Sequence, residues 1–151
     1  MIEKLQNKEI DLSRKIRSVF QVSYAVEAKL LNATDFPPLN RTLESFLQSE
    51  NDFFGYTKNQ ELAGIIEIKQ EDSFIHIQSL VVNPKFFRQG IAKKLMEFVL
   101  NLFENNSFMV ETGVENGPAS ELYKKFDFIE VNQWDTNHGI RKIRFERNIT
   151  S

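Results

Sequence analysis

Residues 74–95 read FIHIQSLVVNPKFFRQGIAKKL, an apolar run that passes across one glycine into a run of helical character. The first part, residues 74–82, is rich in Ile, Val and Phe and predicts a β-strand. From Gly90 onward the apolar residues recur at helical spacing. A further strand is predicted at 108–114, so a strand, a helix and a strand follow one another. Such a unit has parallel strands and a right-handed crossover, which indicates an α/β fold.

The rest of the chain surrounds this unit with helices before it and strands on both sides. The other predicted elements are helices at 13–32 and 41–48, strands at 52–56 and 62–69, a helix from Pro118 to 126, and strands at 128–134 and 141–148. The strands at 52–56, 62–69 and 74–82 are separated by short polar stretches and form an antiparallel meander. We therefore predict one α/β domain over 1–151, with a helical cap region at 1–50 and a mixed central sheet flanked by helices at 52–148.

Composition excludes several classes of site. The chain of 151 residues has no Cys, which rules out disulfides, thiolate nucleophiles and zinc–thiolate centres. Its two His residues are far apart in sequence, so we predict no metal site. A net charge of −2 gives no electrostatic reason to bind nucleic acid or an anionic membrane. Without an apolar leader segment or a run of 18 apolar residues, we expect a cytoplasmic protein, either a monomer or a homodimer.

Gly90 stands where ligands bind in open α/β sheets, beyond the carboxyl end of a strand and at the start of a helix. The unpaired N–H groups of the helix and its positive dipole end attract anions, and a glycine lets phosphate oxygens approach the backbone. Arg88 and Lys93 would add positive charge. A glycine is also a common way to begin a helix, and neither G-x-G-x-x-G nor a P-loop is present. The residues alone leave both interpretations open.

Two motifs in this order resemble the GNAT N-acetyltransferase superfamily. VVNPKFFRQGIAKKL at 81–95 resembles the family's acyl-CoA pyrophosphate loop, [RQ]-x-x-G-x-[GA], and ENGPASELYKKFDF at 115–128 resembles the motif that follows it, N-x-x-A-x-x-L-Y-x-x-x-G-F. The resemblance covers about 52–148 and implies the GNAT fold. It also implies transfer of an acetyl group from acetyl-CoA, without a metal, to a primary amine of a small molecule or peptide. Phe87 departs from the usual Arg or Gln, and Asp127 from the usual Gly.

The resemblance implies that acetyl-CoA binds along the end of one strand, the glycine loop and the start of the following helix. The implied contacts are Leu80, Val81, Val82, Phe87, Arg88, Gln89, Gly90, Ile91, Ala92, Lys93 and Asn116. Leu80 and Val82 would offer backbone groups to the pantetheine arm, and residues 87–93 would surround the pyrophosphate. Asn116 would hydrogen-bond the cofactor.

The resemblance also implies catalytic roles. Tyr123 would face the cofactor sulfur and protonate the leaving thiolate, since a phenol with a pKa near 10 is protonated at pH 7. Glu111 lies five residues before Asn116, which is similar to the spacing of the carboxylate proposed as base in the ribosomal-protein N-terminal acetyltransferases. His76 and Glu67 remain as other candidates for the base, although strand residues of these types usually face solvent or a neighbouring strand.

The acceptor would enter between the N-terminal helices and the late strands, near FPPL at 36–39 and near Trp134. A second hypothesis keeps the fold without the chemistry, as a non-catalytic acyl-CoA-binding regulatory module; Phe87 and the unsettled base permit it. A third, a partner-binding domain without a ligand, leaves the Arg88-Gln89-Gly90 sequence unexplained.

Overall fold

The structure, a computed structural model that describes residues 1–149, is a seven-stranded mixed sheet between two layers of helices. In chain order the elements are β1 (Ile2–Lys4), α1 (Ile10–Leu30), a 3-10 turn (Pro37–Asn40), α2 (Leu43–Gln48), β2 (Asp52–Lys58), β3 (Glu61–Gln70), β4 (Phe74–Val82), a second 3-10 turn (Pro84–Phe86), α3 (Ile91–Leu102), β5 (Ser107–Gly113), α4 (Gly117–Lys125), β6 (Ile129–Asp135) and β7 (Arg141–Arg147). The order across the sheet is β1-β2-β3-β4-β5-β7-β6.

The predicted architecture is confirmed, with one correction at the N-terminus. Strands β2, β3 and β4 form the antiparallel meander, and β4 pairs with β5 in parallel across α3. The predicted helical region at 1–50 also contains β1, which pairs with β2 at the edge of the sheet. Three residues are too few to show an alternating pattern in sequence. None of the helices within residues 1–149 combines the length and apolarity needed to cross a bilayer.

The sheet opens in the middle because β4 and β5 pair over only part of their length. Their parallel register runs from Phe74 beside Ser107 to Ile77 beside Val110 and then stops. At this point β4 has a bulge at Gln78, since the residues on either side of it pair with adjacent residues of β3. A bulge bends its strand and increases the local twist. Beyond it, β4 follows β3 while β5 follows β7, and a gap separates them.

Each face of the sheet packs against its own pair of helices. Helices α3 and α4 cover one face over a core that includes Ile77, Leu95, Phe108 and Phe145. Helices α1 and α2 cover the other face over a core that includes Phe20, Phe46 and Phe53. A third cluster joins the end of α1 to the loop between β6 and β7 through Ala28, Phe36 and Ile140. Burial of this apolar surface provides the main driving force for folding.

The outer strand β6 differs from the others because its side chains are exposed or half-buried on both faces. It pairs with β7 alone, and its register shifts between Glu130 and Asn132, which marks a bulge at Val131. Strand β6 therefore forms the second edge of the sheet, opposite β1.

A buried ion pair ties the segment before α2 to the sheet. The guanidinium of Arg41 donates two hydrogen bonds to the carboxylate of Glu67 on β3, at 2.7 and 3.0 Å. Asn51 and Ser79 donate to the same carboxylate at 2.9 and 3.0 Å. The Arg41 guanidinium also lies 4.0 Å from the ring centroid of Phe46. Glu67 is 1% exposed, so it does not face solvent, but its bond to Ser79 on the paired strand agrees with the predicted cross-strand position. Its orientation follows from packing beneath α1, which strand alternation alone does not reveal.

We expect Arg41→Met to lower the free energy of unfolding by about 3–5 kcal/mol, the range for removing one partner of a buried ion pair. The methionine side chain can still pack on Phe46, but the carboxylate of Glu67 loses its counter-charge. Urea unfolding at pH 7 measures the change. Lys85→Met is the matched control, because Lys85 and Glu61 form an exposed pair at 2.9 Å. It should cost about 1 kcal/mol or less. Equal losses in the two variants would show that the buried pair has no special role.

Candidate active site

The gap between β4 and β5 is the mouth of a cavity of about 800 Å³ that reaches both faces of the sheet. Its wall combines parts of α1, the 3-10 turn at Pro37–Asn40, the ends of β4 and β5, and α4. The sequence-predicted residues that line it are Leu80, Val82, Phe87, Arg88, Glu111, Asn116 and Tyr123. The structure therefore brings the predicted cofactor strand and the predicted acid to one cavity.

The end of β4 presents backbone groups to the gap. The N–H of Asn83 donates to Ala63 on β3, so the N–H groups of Val82 and Leu80 point the other way by antiparallel alternation. The N–H of Val82 donates a hydrogen bond to the hydroxyl of Ser23 on α1 at 3.3 Å. Val81 does not contribute in the same way. Its backbone faces β3 and its side chain is buried in the α1-side core, which corrects the prediction that places it at the cofactor.

The loop before α3 leaves a set of backbone N–H groups without partners in the helix. Gly90 has a left-handed backbone with φ of 74°, and Arg88 has φ of 63°. The first N–H with a helical acceptor is that of Lys94, which donates to the carbonyl of Gly90 at 3.0 Å. A Cβ at residue 90 would meet no atom within 4 Å, so the approach to this helix end is open. The N–H groups of residues 91–93 and the helix dipole suit an anion such as a pyrophosphate.

The side chains of this loop divide between the cavity and the surface. Phe87 is 43% exposed at the cavity rim and offers no hydrogen-bond donor. Arg88 lines the same rim. Gln89 accepts a hydrogen bond from Lys58. Ile91 is buried in the core, Ala92 is half-buried and Lys93 is exposed. Ile91 therefore has only its backbone N–H to offer, whereas Arg88 and Lys93 can add charge.

Tyr123 on α4 presents its hydroxyl to the cavity. Its ring is buried against Phe128 and Phe145, with centroids 5.8 and 5.9 Å away. The hydroxyl makes no hydrogen bond within residues 1–149. No side-chain oxygen in that range is both shielded from solvent and without a partner, so the hydroxyl borders open space. Burial raises the pKa of Tyr123, and the carboxylate of Glu27 raises it further. The phenol therefore keeps its proton at neutral pH.

Asn116 caps α4 and also bonds to α1, a contact that the sequence did not indicate. Its side-chain carbonyl accepts a hydrogen bond from the N–H of Ala119 at 3.2 Å, the usual arrangement of an N-cap. Its side-chain amide donates to the carboxylate of Glu27 at 2.8 Å. Glu27 lies on the cavity wall. Sequence reasoning missed Glu27 because a lone carboxylate on an amphipathic helix normally faces solvent.

The three predicted candidates for the base occupy different places. Glu111 is the first residue of β5 after the parallel pairing ends, and it lies between the cavity and an outer depression that also contains Arg144. His76 is outside the cavity lining and bonds to Gln78 at 2.9 Å. Burial lowers the pKa of His76, and Glu111 opposes that shift. Glu67 is occupied by its ion pair, so Glu111 is the one predicted candidate that reaches the cavity.

The far end of the cavity matches only part of the predicted acceptor entrance. Phe36 and the prolines at 37 and 38 line the cavity, close to Ile140. Trp134 lies instead in the outer depression beside Glu111. The loop after β6 supplies His138 and Ile140 to the wall in its place. Among residues 1–149, no cluster of three or more His, Asp or Glu side chains is arranged to hold a metal ion.

The chain shares sequence with curated proteins, including one from Bacillus subtilis and one from Saccharolobus solfataricus. The UPF0157 protein YqkA of Bacillus subtilis (strain 168) is 34% identical over 129 residues, which are 85% of this chain and 38% of that protein. An N-alpha-acetyltransferase of Saccharolobus solfataricus is 32% identical over 89 residues, 54% of this chain and 53% of that relative. The chain thus spans less than half of one relative's length and about half of the other's.

A solved structure matches the whole chain, and a family model matches most of it. The ribosomal-protein-S18-alanine N-acetyltransferase from Escherichia coli has the same fold, with a TM-score of 0.77 at 20% identity, covering 100% of this chain and 94% of that chain. The family model of the acetyltransferase (GNAT) domain matches residues 28–149. This range includes the parallel pair, the loop at Gly90 and the helix that carries Tyr123. The chain therefore belongs to the GNAT acetyltransferase family.

Proposed function

We propose that the protein transfers an acetyl group from acetyl-CoA to a primary amine of a small molecule or peptide by direct attack. The observation that carries this proposal is the cavity at the strand gap. The loop that leads into α3 contributes Phe87 and Arg88 to its rim, and the hydroxyl of Tyr123 within it has no partner among residues 1–149. One ligand with a pyrophosphate and a thioester would engage both.

Acetyl-CoA would lie along β4 as the substrate, with its phosphates at the loop. The N–H groups of residues 91–93 are free to bind the pyrophosphate, and Arg88 adds charge. The backbone N–H of Leu80 faces the gap and would hold the pantetheine arm or the thioester oxygen. The N–H of Val82 is available only if the hydroxyl of Ser23 gives way. Phe87 contributes apolar surface instead of a donor.

The reaction needs an unprotonated amine and a proton for sulfur. The amine nitrogen attacks the thioester carbonyl carbon, and a backbone N–H stabilises the oxygen that becomes negative. The C–S bond then breaks, and the hydroxyl of Tyr123 gives its proton to the departing thiolate. The proton that the new amide nitrogen loses restores the phenol. The products are the N-acetyl amine and CoA.

Gly90→Asp and Gly90→Asn test where the phosphates bind. Both residues tolerate the left-handed backbone of Gly90, have nearly the same shape and differ in charge. Acetyl-CoA should raise the melting temperature of the wild type, because a ligand at 100 times its Kd stabilises by about 2.7 kcal/mol. We expect Gly90→Asn to keep most of the shift and Gly90→Asp to lose it through repulsion. A full shift in Gly90→Asp would place the phosphates elsewhere.

Tyr123→Phe separates a catalyst from a module that only binds acyl-CoA. The hydroxyl bonds to no protein group in the described range, so its loss should leave the melting temperature and the affinity for acetyl-CoA almost unchanged. We expect kcat to fall about 10²- to 10⁴-fold, the usual effect of losing a positioned general acid. The measurement is thiol release in the presence of an amine that the wild type acetylates.

A synthetic acetyl thioester whose thiol has a lower pKa tests whether Tyr123 acts by protonating the leaving thiolate. A better leaving group needs less proton donation, so the defect of Tyr123→Phe should shrink with that substrate. Equal kcat values for wild type and variant on acetyl-CoA would remove Tyr123 from the chemistry. Binding of acetyl-CoA without turnover of any amine would favour the acyl-CoA-binding module.

A further inference from the structure

Helix α1 crosses the gap between β4 and β5, and two of its side chains bond to opposite sides of that gap. The hydroxyl of Tyr24 donates to the hydroxyl of Ser79 on β4 at 3.1 Å. One turn later, the carboxylate of Glu27 accepts the amide of Asn116, the N-cap of α4, at 2.8 Å. Residues three apart lie on the same face of a helix, so both side chains face the cavity. Glu27 is therefore part of the wall that α1 contributes to the cavity.

The carboxylate of Glu27 is held by one oxygen and free at the other. Oε1 accepts the bond from Asn116, and Oε2 makes no hydrogen bond to any residue in the range 1–149. The side chain is half-buried at the cavity wall. Burial raises the pKa of Glu27, while the hydrogen bond from Asn116 and the positive charge of Lys142 oppose that shift. A carboxylate that is fixed, partly desolvated and open on one side is suited to bind a cation.

We propose that Glu27 binds the acceptor amine as an ammonium group and takes its proton, and that Asn116 positions the carboxylate for this purpose. The inference rests on the proposed acetyl transfer and deepens it by assigning the acceptor site. It gives Asn116 a role on the acceptor side, in addition to capping the helix that carries Tyr123.

Glu27 is better placed for this task than Glu111. An acid and a base that serve one carbonyl carbon must border the same space, and both carboxylates line the cavity. Glu27 is bonded at 2.8 Å to Asn116, the N-cap of the helix that carries Tyr123, whereas Glu111 is shared with the outer depression that contains Arg144. Glu27 is therefore the carboxylate that is tied to the helix of the acid.

With this assignment, every proton in the reaction is accounted for. The ammonium gives one proton to the carboxylate of Glu27, which leaves a neutral amine to form the C–N bond. Tyr123 protonates the thiolate and recovers a proton from the amide nitrogen, as described above. Glu27 releases its proton to water, so one proton leaves per turnover. An ordinary aliphatic amine has a pKa of about 10.4 and is almost wholly protonated at pH 7, so this step is required.

The wall around Glu27 selects the group that carries the amine. Val26 and Leu30 are neighbours of Glu27 on α1, and they are 39% and 45% exposed at the cavity. Phe36 and Pro37 line the facing side. These apolar surfaces favour a primary amine on an uncharged, apolar arm, since contact removes apolar area from water. Such an amine could belong to a free alkylamine or to the first residue of a peptide.

Glu27→Gln tests the assignment because it keeps the size of the side chain and an oxygen for Asn116 but removes the charge. With pentylamine as acceptor at pH 7, we expect kcat/KM to fall about 10²- to 10⁴-fold. The Kd of acetyl-CoA should change less than twofold. Glu121→Gln is the matched control and should keep wild-type activity, because Glu121 is an exposed residue of α4 outside the cavity lining. A large loss in Glu111→Gln with near-normal activity in Glu27→Gln would overturn the proposal.

The pH dependence gives a readout that a structural role would not produce. The defect of Glu27→Gln should shrink as pH approaches 10, because the amine then arrives unprotonated and needs no base. The titratable or charged groups that face Glu27 are Tyr24 on α1, Tyr123 on α4 and Lys142 on β7, and the remaining cavity wall carries Arg41, Arg88, Glu111 and His138. A defect that stays constant between pH 7 and 10 would count against proton transfer to Glu27.

The melting temperature of Glu27→Gln gives a second test of the role of Glu27, and this test does not depend on enzymatic activity. Because the pKa of Glu27 is raised in the folded state, ionising it disfavours the native protein. The penalty is absent below the ordinary carboxyl pKa of about 4.3 and is fully present above the raised native pKa. Glu27→Gln should therefore melt at the same temperature as the wild type, or higher, at pH 7. The difference should vanish as pH falls towards 4. A variant that melts well below the wild type at pH 7 would indicate that Glu27 is structural.

Amine selectivity and the source of the amine are tested by matched acceptors. Pentylamine and 4-amino-1-butanol have the same length and similar basicity, so the apolar wall should favour pentylamine by about tenfold in kcat/KM. The tripeptide amide Leu-Ala-Ala-NH2 tests the peptide source. Its α-amine has a pKa of about 8, so its defect in Glu27→Gln should be smaller than that of pentylamine. Equal use of the two alkylamines would remove the apolar part of the proposal.

Binding separates failure of this inference from failure of the proposed function. In the presence of CoA, which carries no acetyl group, pentylamine should raise the melting temperature of the wild type but not of Glu27→Gln. That result supports the acceptor site even if the wild type acetylates none of the amines. Equal shifts in the two proteins, or no shift in either, would reject the site at Glu27 whatever the turnover experiment shows.

Discussion

The parting of β4 and β5 after their fourth paired residue is the constraint on which the rest of the site depends. Parallel pairing holds the strands together up to Ile77 and Val110, and the bulge at Gln78 then turns β4 away. A continuous sheet would place backbone against backbone here and would leave no room for a substrate. Because the strands separate, the backbone of Leu80 and the hydroxyl of Tyr123 border open space instead of protein.

The helices on the two faces use this opening in different ways. The α3 face presents a helix terminus with free N–H groups, which suits a large anionic cosubstrate. The α1 face presents a carboxylate within apolar walls, which suits a small cation. Close packing at the end of α1 links these halves: a Cβ at Gly113 on β5 would lie 2.6 Å from the side chain of Leu31, the residue that caps α1. A side chain at Gly113 would therefore push against the end of the helix that carries Glu27.

The sequence predicted the parts of the molecule that depend on local patterns. The strand at 74–82 matches β4, α3 begins one residue after Gly90, and β5 and α4 lie within one residue of their predicted bounds, because long periodic segments and a strand–helix–strand order leave few alternatives. Gly90 was singled out by its position between a strand and a helix, and Tyr123 by the resemblance to a family motif. Strand β1 was not, because three residues carry no period. The bulge at Gln78 was also invisible, since it arises from pairing between strands.

Side chains whose role depends on tertiary contacts were beyond the sequence. Glu67 was predicted to face solvent or a neighbouring strand, because nothing in the sequence links it to Arg41, 26 residues away. Glu27 was overlooked because its partner Asn116 is 89 residues distant. Trp134 was predicted near the acceptor entrance, and it lies in the outer depression instead. In each case a polar or aromatic residue takes its function from an element that is remote in sequence.

The bulge in β6 also affects how the molecule meets other copies of itself. An outer strand with unpaired N–H and C=O groups is a template for adding further strands, and regular pairing requires a flat edge with an even register. The extra residue at Val131 interrupts that register, and Glu130 and Asp135 place negative charge along the same strand. The sheet is thereby protected against growth at this edge, despite the exposed Ile129 and Val131. The bulge at Val131, which cannot be predicted from the sequence, thus favours solubility at high concentration.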